Sequence, residues 1–322
     1  MARKAKNKHT GHMKKTAPAH KKSVASTSHN PAKKPTVIIT GATGFLGSQL
    51  VNHFAAKGWR IIPLIREPWR IDGIDIHSYA YELGKPVNEA AFVGADYLVH
   101  TAYVKYDRIR ADAMKVNIEA AKQLLALSRK HKLKANLFMS SMSAHEDAVS
   151  VYGRQKLAIE ALFNTKHDVS LRSGMIIGYG GILKEMVDFM RTKRVVPLVG
   201  GGKQPLQTIG IYDLASCIEH CLTKQLSGVL TVANPRIYSY KDFYAAIGKR
   251  INVKPIFVPV PFFALQAALK IAGMLRLSLG ISEDNLLGLK KLRAVDNAAD
   301  MARIGITPDD LETALARTNI TR

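Results

Sequence analysis

Acidic residues are scarce in this chain, and they are missing altogether from its beginning. The sequence holds 25 Asp and Glu against 47 Lys and Arg, a formal net charge of +22. Residues 1–34 contain ten Lys or Arg, no acid and few large apolar side chains. A segment of this composition cannot bury a core, so we predict a disordered basic tail over residues 1–34. Such a tail either contacts nucleic acid or anionic lipid by non-specific electrostatics or simply keeps the protein in solution.

Cysteines and long apolar runs are also scarce. Two cysteines, Cys217 and Cys221, exclude a disulfide framework and are typical of a reducing compartment. Their spacing on a predicted helix favours two small buried side chains, and we predict no metal site. The chain has no uncharged apolar run of about 18 residues, so a transmembrane helix is not predicted. Without the apolar stretch of a secretory signal, we expect a cytoplasmic protein, with peripheral membrane association as an alternative.

The segment TVIITGATGFLG, residues 36–47, carries the strongest functional pattern. Residues 37–39 predict a short buried strand, and a helix-like run follows the glycines. Gly41, Gly44 and Gly47 lie between them, and such a turn lets backbone N–H groups approach a pyrophosphate at a helix N-terminus. A strand, a glycine turn and a helix in that order are the context that a dinucleotide-binding motif requires.

Strand-like and helix-like segments alternate up to about residue 171, as a doubly wound parallel sheet requires. After residue 174 the pattern loosens into three loop-like stretches, GMIIGYGG, PLVGGGKQP and VPVPFF. We predict an α/β, Rossmann-type fold with an NAD(P)-binding domain over 35–174 and a smaller substrate-binding lobe over 175–322, to which some Rossmann elements return. The predicted strands are 36–40, 60–65, 74–79, 96–101, 136–141 and 169–173, and the clearest helices are 108–131, 182–193 and 213–224.

Arg66 follows the second predicted strand, at the position that faces the adenosine ribose. An acid there accepts a hydrogen bond from the 2′-hydroxyl, whereas an arginine accommodates a 2′-phosphate. Arg66, with Arg70 nearby, therefore favours NADP(H) over NAD(H). NAD(H) stays open because Glu67 could reach a ribose hydroxyl, and Arg66 could be only a solvated strand end.

Tyr152 and Lys156 lie four residues apart, so they share a helix face. An ordinary tyrosine is protonated at neutral pH, and a nearby ammonium would favour the phenolate. The phenol could then move a proton to or from a carbonyl or alcohol oxygen while hydride moves on carbon. The fifth predicted strand ends in Ser140 and Ser141, and a serine hydroxyl there would orient the reacting oxygen. We predict Tyr152, Lys156 and Ser141 as catalytic, with Ser140 and Ser143 as alternatives to Ser141.

Together these motifs resemble the short-chain dehydrogenase/reductase superfamily, on its extended or atypical, epimerase/dehydratase-like branch. The resemblance runs from about residue 35 to 318 and includes TGATGFLG, DYLVHTAY, FMSSMSA, YGRQK and LRSGMIIG. It implies that Lys156 also binds the nicotinamide ribose. The cofactor site it implies comprises Gly41, Thr43, Gly44, Phe45, Leu46, Gly47, Arg66, Glu82, Leu83, Thr101, Ala102, Tyr103, Tyr152 and Lys156.

Departures from the family patterns guide the choice of reaction. Residues 142–145, Met-Ser-Ala-His, stand where dehydratases of the family carry Thr-Asp-Glu, which disfavours dehydration. Met175 and Leu206 stand where sugar-nucleotide enzymes carry Asn and Arg, which disfavours a diphosphate-sugar substrate. We therefore predict an NAD(P)-dependent oxidoreductase of the short-chain dehydrogenase/reductase type that acts on a carbonyl or alcohol substrate.

Two alternatives to the oxidoreductase stay open. The first is an epimerase that uses tightly held NAD. The second is a non-catalytic scaffold or sensor that binds NADP(H). Met142 favours the scaffold, because many relatives place the catalytic Ser or Thr there, and so does the short stretch of ten residues between Ser141 and Tyr152.

The segment Pro261–Gly280 is apolar, with only Lys270 and Arg276 charged. It predicts either a helix packed into the C-terminal lobe or an interfacial helix that lies on a membrane. The second interpretation agrees with the hydrophobic substrates of hydroxysteroid dehydrogenases in the same group. Members of the superfamily often dimerise through the helices that correspond to 108–131 and 149–166, so a homodimer is a further expectation.

Overall fold

The apolar run over residues 37–39 lies in an interior strand of a parallel sheet. The structure is a computed structural model and describes residues 33–67, 76–105, 112–274 and 282–320. Most of the predicted basic tail, with Arg70 and Arg276, therefore lies outside the described residues.

Thirteen strands occur in the part of the chain that the structure describes. They are β1 Thr36–Thr40, β2 Arg60–Ile65, β3 Tyr79–Ala80, β4 Tyr97–His100, β5 Ala135–Ser141, β6 Asp168–Ser173, β7 Met175–Ile177, β8 Val195–Val199, β9 Pro205–Leu206, β10 Thr208–Gly210, β11 Gly228–Val232, β12 Tyr238–Ser239 and β13 Ile256–Val260.

Ten α-helices occur in the same described residues. They are α1 Phe45–Ala56, α2 Ala113–Lys130, α3 Val151–Glu160, α4 Gly181–Lys193, α5 Ile211–Thr223, α6 Tyr240–Arg250, α7 Phe262–Met274, α8 Glu283–Lys290, α9 Ala298–Ile304 and α10 Leu311–Arg317. The predicted helix over 108–131 is thus described from Ala113, and the homodimer through α2 and α3 stays a prediction.

Seven parallel strands form the main sheet in the order β11-β6-β5-β4-β1-β2-β3. Alternation along β1 sends Val37 and Ile39 to one face and Ile38 to the other. Helices α1 and α5 cover the first face, and α2 covers the second. Helices on both faces of a parallel sheet make a doubly wound Rossmann-type fold, so the predicted fold class is confirmed.

One of the predicted strands is largely absent from the described residues. The strand expected over 74–79 is reduced to a single bridge at Ile76 and the short β3, while residues 74 and 75 lie outside the described residues.

The cysteines behave as predicted, since Cys217 and Cys221 are buried in the core beside α1. Burial raises the pKa of the Cys221 thiol to about 12, as for a packing residue.

The prediction that three C-terminal stretches are loops was wrong. GMIIGYGG contains β7, which pairs with β10, while PLVGGGKQP and VPVPFF contribute to β8 and β13, which pair in parallel. Their prolines and glycines obscured the strand pattern. Pro197 and Pro259 are tolerated because each strand of a two-stranded ribbon is an edge strand, where a missing N–H costs little.

A second apolar cluster joins α4, α6 and α10 to β8 and β12, apart from the clusters of the main sheet. It is built from Leu183, Val187, Phe243, Leu311 and neighbouring side chains. The chain returns to the main sheet at β11, so the division of the chain at residue 174 stays a prediction. Within the residues that the structure describes, no helix is long and apolar enough to cross a membrane.

Candidate active site

A cavity of about 640 Å³ opens beyond the carboxyl ends of β1, β2 and β4. Twelve of the predicted cofactor residues line it: Gly41, Thr43, Gly44, Phe45, Leu46, Gly47, Arg66, Glu82, Leu83, Thr101, Ala102 and Tyr103. Sequence reasoning missed six further residues that line it, namely Leu64, Ile65, Tyr81, Val104, Lys105 and Met139. Each of these lies within two residues of a predicted position, so the strand ends alone could have indicated them.

Gly41 and Gly47 allow the backbone to turn tightly at the cavity. Gly41 has a φ of +69°, and a Cβ there would lie 2.9 Å from the Ala102 backbone nitrogen. A Cβ on Gly47 would lie 2.0 Å from the Gly41 carbonyl oxygen. Side chains at both positions are therefore excluded by the fold, and the loop keeps its backbone close to whatever occupies the cavity.

The N-terminus of α1 supplies the donors for an anion. Gly44 is the N-cap residue, and no side chain within the described residues caps the helix. The first N–H groups of α1, which have no carbonyl partner inside a helix, belong to cavity-lining residues. A helix N-terminus of this kind suits a pyrophosphate.

Charged side chains at the cavity are mainly positive. Arg66 follows β2 and Lys105 follows the end of β4, while Glu82 is the acid in the lining. This balance suits a dinucleotide that carries several negative charges. The glycine cradle, the uncapped helix and the two cations together fit a nicotinamide dinucleotide.

Ser141 and Tyr152 meet where β5 ends and α3 begins. Their hydroxyl groups are hydrogen-bonded. The Ser143 N–H donates to Ser141 Oγ at 3.2 Å, which leaves the Ser141 proton for the phenol oxygen. Ser140 is buried on the other side of the strand and donates to the Glu160 carboxylate. Alternation along β5 therefore separates the two serines, and Ser141 is the one beside Tyr152.

The Tyr152 pKa is raised by desolvation of its phenol, and the hydrogen bond from Ser141 opposes this shift. The sequence predicts the contrary, a pKa lowered by Lys156. The phenol is therefore protonated at neutral pH and suited to donate a proton.

Lys156 is almost completely buried beneath three aromatic rings. Its Nζ donates to the Met139 carbonyl oxygen at 2.7 Å. It lies 4.9 Å from the ring centre of Tyr103, 4.7 Å from that of Phe138 and 5.7 Å from that of Tyr152. Burial lowers its pKa to about 7. A lysine that is only partly charged near neutral pH favours the phenolate weakly, so it does little to oppose the effect of desolvation on the Tyr152 pKa.

Asp284 caps the helix that carries Tyr152, a contact that sequence reasoning missed. Its carboxylate accepts hydrogen bonds from the Val151 N–H and, at 3.1 Å, from the Tyr152 N–H. Ser150 caps the same helix and accepts from the Gly153 N–H at 3.1 Å. The first turn of α3 is thus held partly from α8, more than 130 residues later in the chain.

Replacing Asp284 with Ala is expected to lower both stability and turnover. The variant leaves two N–H groups of α3 without acceptors, which costs about 1–3 kcal/mol of unfolding free energy. Glu283→Ala is the matched control, because Glu283 is an exposed acid in the same helical turn. Thermal unfolding and kcat/KM should fall for Asp284→Ala and stay near wild type for Glu283→Ala. Equal behaviour of the two variants would contradict the capping role.

Comparison with known proteins identifies a family whose model matches this chain. The model of the "NAD dependent epimerase/dehydratase family" matches residues 37–233, more than half of the chain. The similarity to Helicobacter pylori ADP-L-glycero-D-manno-heptose-6-epimerase is structural. The TM-score is 0.67 at 19% identity, over 88% of this chain and 94% of that one. At this identity the likeness shows the fold alone.

Two curated relatives differ in how much of the chain they match. A ceramide reductase of Caulobacter vibrioides is 32% identical over 130 residues, which are 38% of this chain and 40% of that protein. The matched stretch thus spans about two fifths of that relative's length. The epimerase family protein YfhF of Bacillus subtilis is 24% identical over 87% of this chain and 97% of its own.

Proposed function

Because the chain belongs to the NAD-dependent epimerase/dehydratase family, we propose that it is an NADP(H)-dependent oxidoreductase that acts on a carbonyl or alcohol. The observation that carries the proposal is the hydrogen-bonded pair Ser141–Tyr152 beside buried Lys156. This arrangement provides a proton donor and an orienting hydroxyl where the cavity-lining Tyr103 ring meets the Tyr152 ring, 5.4 Å between centres.

In this proposal the residues have separate tasks. The α1 N-terminus and the glycine turn hold the pyrophosphate, Arg66 contacts a 2′-phosphate, and Lys156 anchors the nicotinamide ribose. The bound cofactor supplies hydride chemistry. Ser141 orients the substrate oxygen, and Tyr152 gives that oxygen its proton. A phenol with a raised pKa favours the reductive direction, in which Tyr152 acts as the acid.

The substrate that we propose is a hydrophobic carbonyl compound. Support comes from the matched stretch of the relative named ceramide reductase and from a second relative, named putative dihydroflavonol 4-reductase, of Synechocystis. Buried Leu206, which pairs with Tyr238, occupies the position where sugar-nucleotide enzymes carry an arginine. An apolar side chain there supplies neither a hydrogen-bond donor nor a positive charge for a diphosphate.

The Arg66→Ala variant tests the cofactor. Loss of a charged hydrogen bond to the 2′-phosphate should weaken NADPH binding about 10- to 100-fold, while NADH binding changes little. Nicotinamide fluorescence measures both affinities. Lys57→Ala is the control, since it removes an exposed cation at the far end of α1. Tight NADH binding that is indifferent to Arg66 would overturn the NADP(H) preference.

A sugar-nucleotide epimerase is the second candidate, because the relative matched over 97% of its length is named an epimerase family protein. It predicts that NAD stays bound through purification and that substrate changes configuration without net change in nicotinamide absorbance. Net oxidation of NADPH by a carbonyl substrate would favour the reductase instead.

A further inference from the structure

Helix α7 packs one apolar side into the protein. Leu269 is buried in a small cluster with Val199 and Leu286, and Phe262 and Leu265 pack against the same cluster. A Cβ on Gly200 would lie 2.4 Å from the Phe262 ring. The N-terminus of α7 is therefore fixed against the end of β8.

The opposite side of α7 is apolar as well. Phe263, Ala267 and Ile271 recur there at helical spacing, with Phe263 76% exposed and Ile271 53% exposed. A surface helix ordinarily sets polar side chains on its outer side. Two large apolar side chains facing water on one short helix indicate that something covers this side when the protein works.

The paired strands β8 and β13 extend the same exposed surface. Val195 lies opposite Ile256, and Pro197 lies opposite Val258, in the register of the parallel pair. Alternation places Val195, Pro197 and Val199 on one face, and α7 covers it only at Val199. The side chains of Val195 and Pro197 on β8, and of Ile256 and Val258 on β13, are exposed. We call the exposed set the α7 face, which comprises Val195, Pro197, Ile256, Val258, Phe263 and Ile271.

Exposed cations lie beside the strands and the helix that form the α7 face. The sequence has no Asp or Glu between Asp242 and Glu283, a stretch that includes β13 and α7. Exposed Arg194 immediately precedes β8, exposed Lys254 comes just before β13, and exposed Lys270 lies beside Ile271. Apolar side chains with cations beside them complement a bilayer with anionic headgroups.

We propose that the α7 face docks on an anionic lipid bilayer, with Phe263 and Ile271 inserted at the boundary between headgroups and acyl chains. The charges distinguish this occupant from a second copy of the chain. A symmetric dimer through the same face would bring these cations close to their copies on the second chain, which costs electrostatic energy. An anionic bilayer neutralises their charge instead.

Vesicle sedimentation with the full-length chain tests the proposal. The double variant Phe263→Glu with Ile271→Glu removes the apolar insertion. The control, Val93→Glu with Val229→Glu, adds the same charge at two exposed valines that do not belong to the α7 face. All three proteins are mixed with phosphatidylcholine vesicles, with and without phosphatidylglycerol, at roughly 0.15 M salt. The basic N-terminal residues are present in every protein and so cancel in the comparison.

We expect wild type and control to bind the anionic vesicles, and the α7-face variant to bind them at least about 30-fold more weakly. NADPH affinity and thermal unfolding should be the same in all three, which separates this result from any failure of the proposed reaction. Equal vesicle binding by the variant and the control would overturn the proposal. So would absence of vesicle binding by wild type, or a wild-type dimer that only the α7-face variant dissociates.

Discussion

Replacing Tyr152 with Phe should reduce turnover about 10²- to 10⁴-fold, the usual contribution of a general acid. The variant keeps the ring that packs at 5.4 Å against Tyr103 but loses the hydroxyl that Ser141 contacts. NADPH affinity and the unfolding temperature should therefore stay near wild type. The measurement is the rate of NADPH oxidation with a hydrophobic carbonyl substrate.

Tyr212→Phe is the matched control, because Tyr212 is an exposed tyrosine at the start of α5 whose ring lies under Arg317. It should leave the rate unchanged. The experiment also separates an enzyme from a scaffold. If cells that contain only Tyr152→Phe behave like wild type while Arg66→Ala impairs function, the protein acts by holding NADP(H) rather than by turning over.

Sequence reasoning was most successful where neighbouring residues form one local unit. The strand, the glycine turn and the start of the following helix lie within twelve residues, so their pattern predicts both the structure and the cavity lining. Tyr152 and Lys156 were predicted from their spacing and from their position after the fifth strand, with Ser141 as the first choice of serine and Ser140 and Ser143 as alternatives. The structure brings the side chains of Ser141, Tyr152 and Lys156 together. Side-chain alternation along β5 places Ser141, and not Ser140, beside Tyr152. The sequence alone does not show which of the two strand faces meets α3.

Contacts between distant parts of the chain could not be predicted. Asp284 meets the start of α3 across more than 130 residues, and no local pattern marks it. The pKa of Tyr152 was predicted in the wrong direction for a related reason. Spacing places Lys156 beneath the phenol, but it does not reveal that three rings bury the ammonium and lower its own pKa.

Replacing Lys156 with Met should make the protein more stable at pH 7 and much less active. The folded-state pKa of Lys156 is about 7, against an ordinary value of 10.5. Burial of Lys156 therefore lowers the free energy of unfolding at pH 7 by about 4 kcal/mol, relative to a protein in which this lysine is exposed. Methionine removes that cost and loses the hydrogen bond to Met139, worth about 1 kcal/mol.

The difference in stability between wild type and Lys156→Met should depend on pH. Between pH 7 and 10.5 the unfolded wild type holds a proton at Lys156 that the folded protein has released. Wild-type stability therefore gains from this group as the pH rises through that window, and the Met variant lacks the gain. Its advantage should be roughly 5 °C or more in Tm at pH 7 and should shrink steadily toward pH 10.

Differential scanning calorimetry of wild type, Lys156→Met and Lys122→Met measures this difference. Lys122 is an exposed lysine on α2 paired with Glu119, so its variant should show no comparable pH-dependent change. Turnover of Lys156→Met should fall at least about tenfold, because the proposed ribose contact is lost. A variant less stable than wild type at every pH would show that Lys156 is held as a fully charged group.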